Sequence, residues 1–183
     1  MQATELDIPG LFVFEPRVFS DDRGSFFESF NDARFREVTG FGGQFVQDNH
    51  STSRKGVLRG LHYQLPPHEQ GKLVRVVSGA AYDVAVDIRP GSPSFGRWAG
   101  VELSSANHRQ LWIPAGFAHG FLALEADTQF LYKTTGFWHA PSERSLKWDD
   151  PTIAIDWPLT SPPILSGKDL EAPGLNEAEL PAP

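Results

Sequence analysis

The stretch Gly56-Val57-Leu58-Arg59-Gly60-Leu61-His62-Tyr63-Gln64 places an arginine and a histidine three residues apart in a run that reads as a β-strand. A neutral imidazole is available as a base near pH 7, and a guanidinium fork suits phosphate oxygens. Strict alternation would send Arg59 and His62 to opposite faces of the strand. A glycine inside a strand often marks a bulge, so Gly60 is expected to shift the register and turn both side chains toward one cavity.

A second stretch, Ile113-Pro114-Ala115-Gly116-Phe117-Ala118-His119-Gly120-Phe121, uses a proline-glycine turn to deliver His119 at the start of an apolar strand. It resembles the second motif of the cupin superfamily, small jelly-roll barrels. Their first motif usually contains His-x-His and a glutamate, which bind a divalent metal together with a later histidine. Here the first motif reads His62-Tyr63-Gln64. A neutral amide is a poor ligand for metals that favour imidazole, so a metal held by His62, Gln64, Glu69 and His119 is not expected. Proton transfer at an acidic C–H needs no metal, and His62 suits it.

The elements that must position these groups are short runs rich in Val, Phe, Tyr and Leu, punctuated by Gly, Pro, Asn and Asp. Strands are expected at Leu11 to Phe19, Ser25 to Phe30, Gln44 to Ser51, Gly56 to Gln64 and Leu73 to Val77. Further strands are expected at Ala81 to Ile88, Arg97 to Leu103, Gln110 to Ile113, Gly120 to Glu125 and Thr128 to Thr134. Ser78-Gly79 reads as a hairpin turn. A short helix is expected over Asn31 to Val38, before Gly40, and another near Lys168. Beyond Pro151 the chain turns proline-rich and should wrap the barrel. The expectation is an all-β, cupin-like jelly-roll barrel with short peripheral helices and a C-terminal extension, forming a single domain over residues 1–183.

The chain has 183 residues, 40% of them hydrophobic, enough for one real core. A net charge of -7 and the lack of a basic run argue against a nucleic-acid partner. No apolar run approaches the ~20 residues of a membrane span. There are no cysteines, and the opening residues lack a basic and then apolar leader pattern, so a cytoplasmic location is expected.

Gln47-Asp48-Asn49-His50-Ser51, Arg59 to Gln64, Asp83 to Arg89, Pro114 to Phe121 and Ser166-Gly167-Lys168-Asp169 together resemble the dTDP-4-dehydrorhamnose 3,5-epimerase family over nearly the whole chain. The resemblance implies epimerisation of a dTDP-4-keto-6-deoxy sugar at C3 and C5, whose protons are acidified by the C4 carbonyl, without any cofactor. It implies that His62 is the base, Asp169 its partner, Tyr132 the donor on the opposite face, and Lys72 the stabiliser of charge on O4. Substrate contacts are implied for Phe19, Arg23, Glu28, Gln47, Asn49, Arg59, His119, Trp138, Glu143 and Lys168. Phe19 and Trp138 would stack on the thymine, although Trp138 stands where the family usually has a Tyr-rich pair. A homodimer with exchanged N-terminal strands is also implied, so that Phe19, Arg23 and Glu28 would serve the partner's site.

Other readings stay open on residues alone. One is a relative that inverts a single carbon or moves the ketone. Another is a metal-dependent oxygenase using His62, Glu69 and His119. The third is a non-catalytic sugar-binding module.

Overall fold

In the computed structural model, which describes residues 1–181, the chain forms two facing antiparallel sheets. The N-terminal strands are β1 (Gln2–Glu5), β2 (Phe12–Glu15), β3 (Phe19–Asp21) and β4 (Gly24–Phe26), followed by helix α1 (Asp32–Thr39). The barrel strands are β5 (Gln47–Ser53), β6 (Leu58–Gln64), β7 (Lys72–Ser78), β8 (Ala80–Asp87), β9 (Trp98–Ser104), β10 (Gln110–Ile113), β11 (Phe117–Ala123) and β12 (Thr128–Thr134). A 3-10 turn at Ala140–Ser142, strand β13 (Glu143–Ser145) and helix α2 (Gly167–Leu170) complete the set. One sheet runs β1-β2-β10-β7-β12-β5 and the other β13-β6-β11-β8-β9, while β3 and β4 form a separate hairpin.

Alternation assigns each strand's side chains to three apolar layers. Val74, Val76, Leu111, Ile113 and Phe130 of the six-stranded sheet meet Ala81, Ala85, Leu103, Phe117 and Phe121 of the five-stranded sheet between the sheets. The outer face of the five-stranded sheet, carrying Val84, Val86, Ala118 and Leu122, is covered by Ile153, Trp157 and Leu175 of the C-terminal extension. Phe14, Leu73 and Trp112, on the outer face of the other sheet, pack with Phe35 of α1. Burying each of the Val, Leu, Ile and Phe side chains among them is worth roughly 1.5–3 kcal/mol.

The jelly-roll architecture and the wrapping extension agree with the sequence reading, and several boundaries do not. The run Leu11 to Phe19 is broken at Pro16, which cannot donate to a ladder, into β2 and β3. The run Ser25 to Phe30 keeps strand structure only through Phe26. Ser78-Gly79 does not make a hairpin: β7 and β8 lie in different sheets, because β8 is buried on both faces and takes an interior place beside β9 and β11. Strands β1 and β13 were not anticipated; both are short edge strands with exposed or half-buried positions and little apolar pattern. Helix α1 begins at the Asn31 cap, whose side chain accepts from the Arg34 N–H, and ends at Gly40 with φ 69°.

Candidate active site

Toward one end of the sandwich the inward positions change from apolar to polar, and a cavity of about 640 Å³ opens between the sheets. Gly60 accounts for much of its lining. Its φ of 124° is open to glycine, and an added Cβ would lie 2.5 Å from Gly120 Cα. Against β11, His62 pairs with His119 and Arg59 with Phe121, so Gly60 and Leu61 together oppose Gly120 alone. This is the expected bulge. Leu58 and Leu61 consequently share the outer face, and Arg59 and His62 both line the cavity.

His62 Nε2 lies 2.6 Å from Oδ1 of Asp169. Asp169 comes from α2, whose Ser166 cap holds the other carboxylate oxygen at 2.8 Å and accepts from the Asp169 N–H. Burial pushes the Asp169 carboxyl upward, but the hydrogen bond and charge of His62, Ser166 and Lys168 outweigh it and hold the pKa below the usual range. With Nε2–H donating to the carboxylate, the Nδ1 lone pair of His62 is left free.

Beside it, His119 Nε2 lies 2.8 Å from Asp83 Oδ2, and both residues are buried. Burial lowers the His119 pKa despite the Asp83 charge, with Lys72 and His62 adding to the effect, so its neutral form is favoured. The second Asp83 oxygen is buried with no hydrogen-bond partner.

Lys72 opens β7 on the opposite sheet, is 8% exposed, and donates from Nζ to the His62 carbonyl at 3.2 Å. Burial lowers its pKa to about 8, against the opposing pull of Asp83 and Glu143. Tyr132 faces inward from β12, between Asn49 on β5 and Val74 on β7. Burial and the Glu143 charge raise its phenol pKa, which keeps the hydroxyl protonated.

At the mouth, Gln47 donates to Asn49 Oδ1 at 2.9 Å, Lys168 pairs with Glu143 at 2.9 Å, and Trp138 is 58% exposed. Gln47, Asn49, Arg59, His62, Lys72, His119, Tyr132, Trp138, Glu143, Lys168 and Asp169 all line this one cavity. Phe19, Arg23 and Glu28 do not. Phe19 and Arg23 sit on the exposed β3–β4 hairpin, and Glu28 accepts from Asn31 beside α1.

Sequence reasoning left Asp83 and Ser166 without roles. A carboxylate in the middle of the mostly apolar strand Ala80–Asp87 is costly to bury unless partnered, and that was the available signal for Asp83. Among the described residues, no three His, Asp or Glu side chains are placed to hold a metal ion.

A jelly-roll cavity lined by the His62–Asp169 pair, by His119 with Asp83 buried behind it, and by a buried lysine and a facing tyrosine has the layout of a cupin-type site. The sequence model of the dTDP-4-dehydrorhamnose 3,5-epimerase family matches residues 5–177, and the chain belongs to that family. It is 56% identical over 179 residues to the dTDP-4-dehydrorhamnose 3,5-epimerase of Pseudomonas aeruginosa, covering 98% of each chain. The crystal structure of the dTDP-6-deoxy-D-glucose-3,5-epimerase of Legionella pneumophila Philadelphia 1, in complex with dTDP-4-keto-L-rhamnose, matches 100% of this chain and 98% of that one. Its TM-score is 0.96 at 51% identity. A 3'-monoepimerase of Streptomyces bikiniensis in complex with dTDP-quinovose matches with a TM-score of 0.90 at 37% identity, over 97% of this chain and 91% of that one.

Proposed function

We propose that this protein epimerises dTDP-4-dehydro-6-deoxy-D-glucose at C3 and C5, giving dTDP-4-dehydro-L-rhamnose for deoxysugar synthesis. The observation that carries this reading is the origin of His62 and Tyr132 on opposite sheets, with the cavity between them. Inversion needs a base on one face of the sugar and an acid on the other.

His62 Nδ1 takes the proton from the carbon beside the ketone, and Asp169 stabilises the imidazolium that results. The electron pair moves into the carbonyl, and the enolate oxygen is met by the Lys72 ammonium with His119 nearby. Tyr132 then returns a proton to the opposite face, and solvent restores both groups. Arg59 and Lys168 serve the diphosphate, Gln47, Asn49 and Glu143 supply polar contacts, and Trp138 stacks on the thymine.

We read the enzyme as a homodimer. The β3–β4 hairpin has strands of three residues, and its Phe19 and Phe26 are 52% and 72% exposed. Such a hairpin is marginal alone, and β5 is a free edge of the six-stranded sheet. Exchange would bring Phe19, Arg23 and Glu28 to the partner's cavity. We also read residues 1–183 as one domain, supported by the packing of the extension on the barrel, and the location as cytoplasmic, supported by the lack of cysteines. Among the described residues, no helix is long and apolar enough to cross a membrane.

The test is to incubate the enzyme with dTDP-4-keto-6-deoxyglucose in deuterated water and follow C3 and C5 by NMR. Deuterium at both carbons with the L-rhamno configuration is expected. Deuterium confined to C3 would make the protein a mono-epimerase, and no deuterium would make it a binding module.

A further inference from the structure

Gln64 follows His62 by two residues on the same inward face of β6, and it is 5% exposed. It lines the cavity, and the hydrogen bonds of its amide all go to backbone. Oε1 accepts from the His139 N–H at 2.7 Å, and Nε2 donates to the Phe137 carbonyl at 3.2 Å and to the His68 carbonyl. The side chain therefore ties the segment after β6 to the segment after β12.

Trp138 lies between the two residues held on the β12 side. Its own N–H donates to Gln47 Oε1 at 3.1 Å, and the rings of His68 and His139 stack at 3.7 Å across the same junction. Backbone on either side of Trp138 is thus fixed, while its indole stands 58% exposed at the cavity mouth. A flat aromatic ring that must meet a flat ligand loses much of its worth if it can swing, because ordering it on binding costs free energy.

We propose that Gln64 is a positioning residue for nucleotide recognition: a three-bond clasp that presets Trp138 against the base and takes no part in proton transfer. The inference rests on the reading that Trp138 stacks on the thymine. Tyr63 and Leu61, the neighbouring outward positions of β6, pack into the layer beneath the extension, so they do not share this work.

Gln64→Met keeps the length and burial of the side chain and removes all three hydrogen bonds. With dTDP-4-keto-6-deoxyglucose as substrate, KM is expected to rise about tenfold, within the range set by loss of one base-stacking contact, while kcat stays within about twofold. The dTDP dissociation constant, measured by calorimetry, should rise in parallel. In a Trp138→Ala background, Gln64→Met should add less than about a twofold change, since the residue being positioned is gone.

A Gln64→Met enzyme with unchanged KM, alongside a Trp138→Ala enzyme with raised KM, overturns the clasp and leaves the stacking reading standing. A Trp138→Ala enzyme with unchanged KM overturns stacking itself, and the clasp with it. A fall in kcat at unchanged KM in Gln64→Met would place the residue in the chemistry, and also overturns the proposal. If Gln64→Met unfolds at assay temperature, Gln64→Glu gives the same test. It keeps the acceptor for His139 but turns a carboxylate oxygen onto the His68 and Phe137 carbonyls in place of the donor, so a KM increase of about tenfold or more is expected, and no increase overturns the clasp.

Discussion

His62 and Asp169 are 107 residues apart in sequence and 2.6 Å apart at Nε2 and Oδ1. The contact fixes the imidazole tautomer and leaves one nitrogen free to act.

Replacing Asp169 with asparagine keeps the shape and removes the charge that stabilises an imidazolium. Turnover should fall by about 10²- to 10⁴-fold with KM little changed, measured by NMR of the product. A loss of less than tenfold would reduce Asp169 to a structural cap.

His62→Ala and Tyr132→Phe should separate proton removal from proton return. The first should abolish deuterium exchange at both carbons while dTDP still binds, since the proposed nucleotide contacts are other residues. The second should retain exchange from one face yet impair inversion. Normal product yield from Tyr132→Phe would count against its role as donor.

Lys72 links stability to activity. Buried and drawn down to about 8 from 10.5, it should lose its ammonium, and the enzyme its turnover, as pH rises through about 8. Between about pH 8 and 10.5 the unfolded chain holds a proton that the folded chain does not, so this lysine makes stability rise with pH across that window. Lys72→Met should therefore be nearly inactive and yet, near pH 7, more stable by about 1–3 kcal/mol in urea melts. Equal or lower stability would mean that the charge is better solvated than its burial suggests.

Gly60→Ala tests the bulge. The added Cβ meets Gly120 Cα and, at 2.8 Å, the His119 carbonyl, and it requires a positive φ. Destabilisation of about 2–4 kcal/mol is expected, with activity lost even where the protein stays folded. Retained activity would mean that the register of Arg59 and His62 does not depend on this glycine.

Mixing Arg23→Ala with His62→Ala tests subunit exchange. If Arg23 serves the partner's cavity, hybrid dimers contain one intact site, and about a quarter of normal activity should return on mixing. No recovery would confine each site to one chain.

The sandwich was legible because its signals are local: short apolar runs between Gly, Pro, Asn and Asp marked β7, β8 and β12, and Gly60 announced the bulge. Strand ends were less so. Pro16 cuts one run, and β1 and β13 carry too little apolar pattern to register. The pairing of β7 and β8 with different partners is a long-range outcome that a Ser-Gly turn cannot declare. In the site, Asp169 had no local mark beyond its Ser166 cap and was reached through family resemblance. Asp83 stood in plain view as a charge in an apolar strand. The clasp made by Gln64 was invisible, because its partners are backbone groups of distant loops.

His62 and Tyr132 ride on interior strands of the two facing sheets, and neither strand can travel far without breaking the layers that hold it. Under the proposed assignment, one fixed pair serves two carbons on opposite sides of a carbonyl. The moving part must then be the hexose, pivoting about its ketone between the two inversions while the nucleotide stays moored at the rim. The cavity has to leave slack around the sugar and keep its grip for the base.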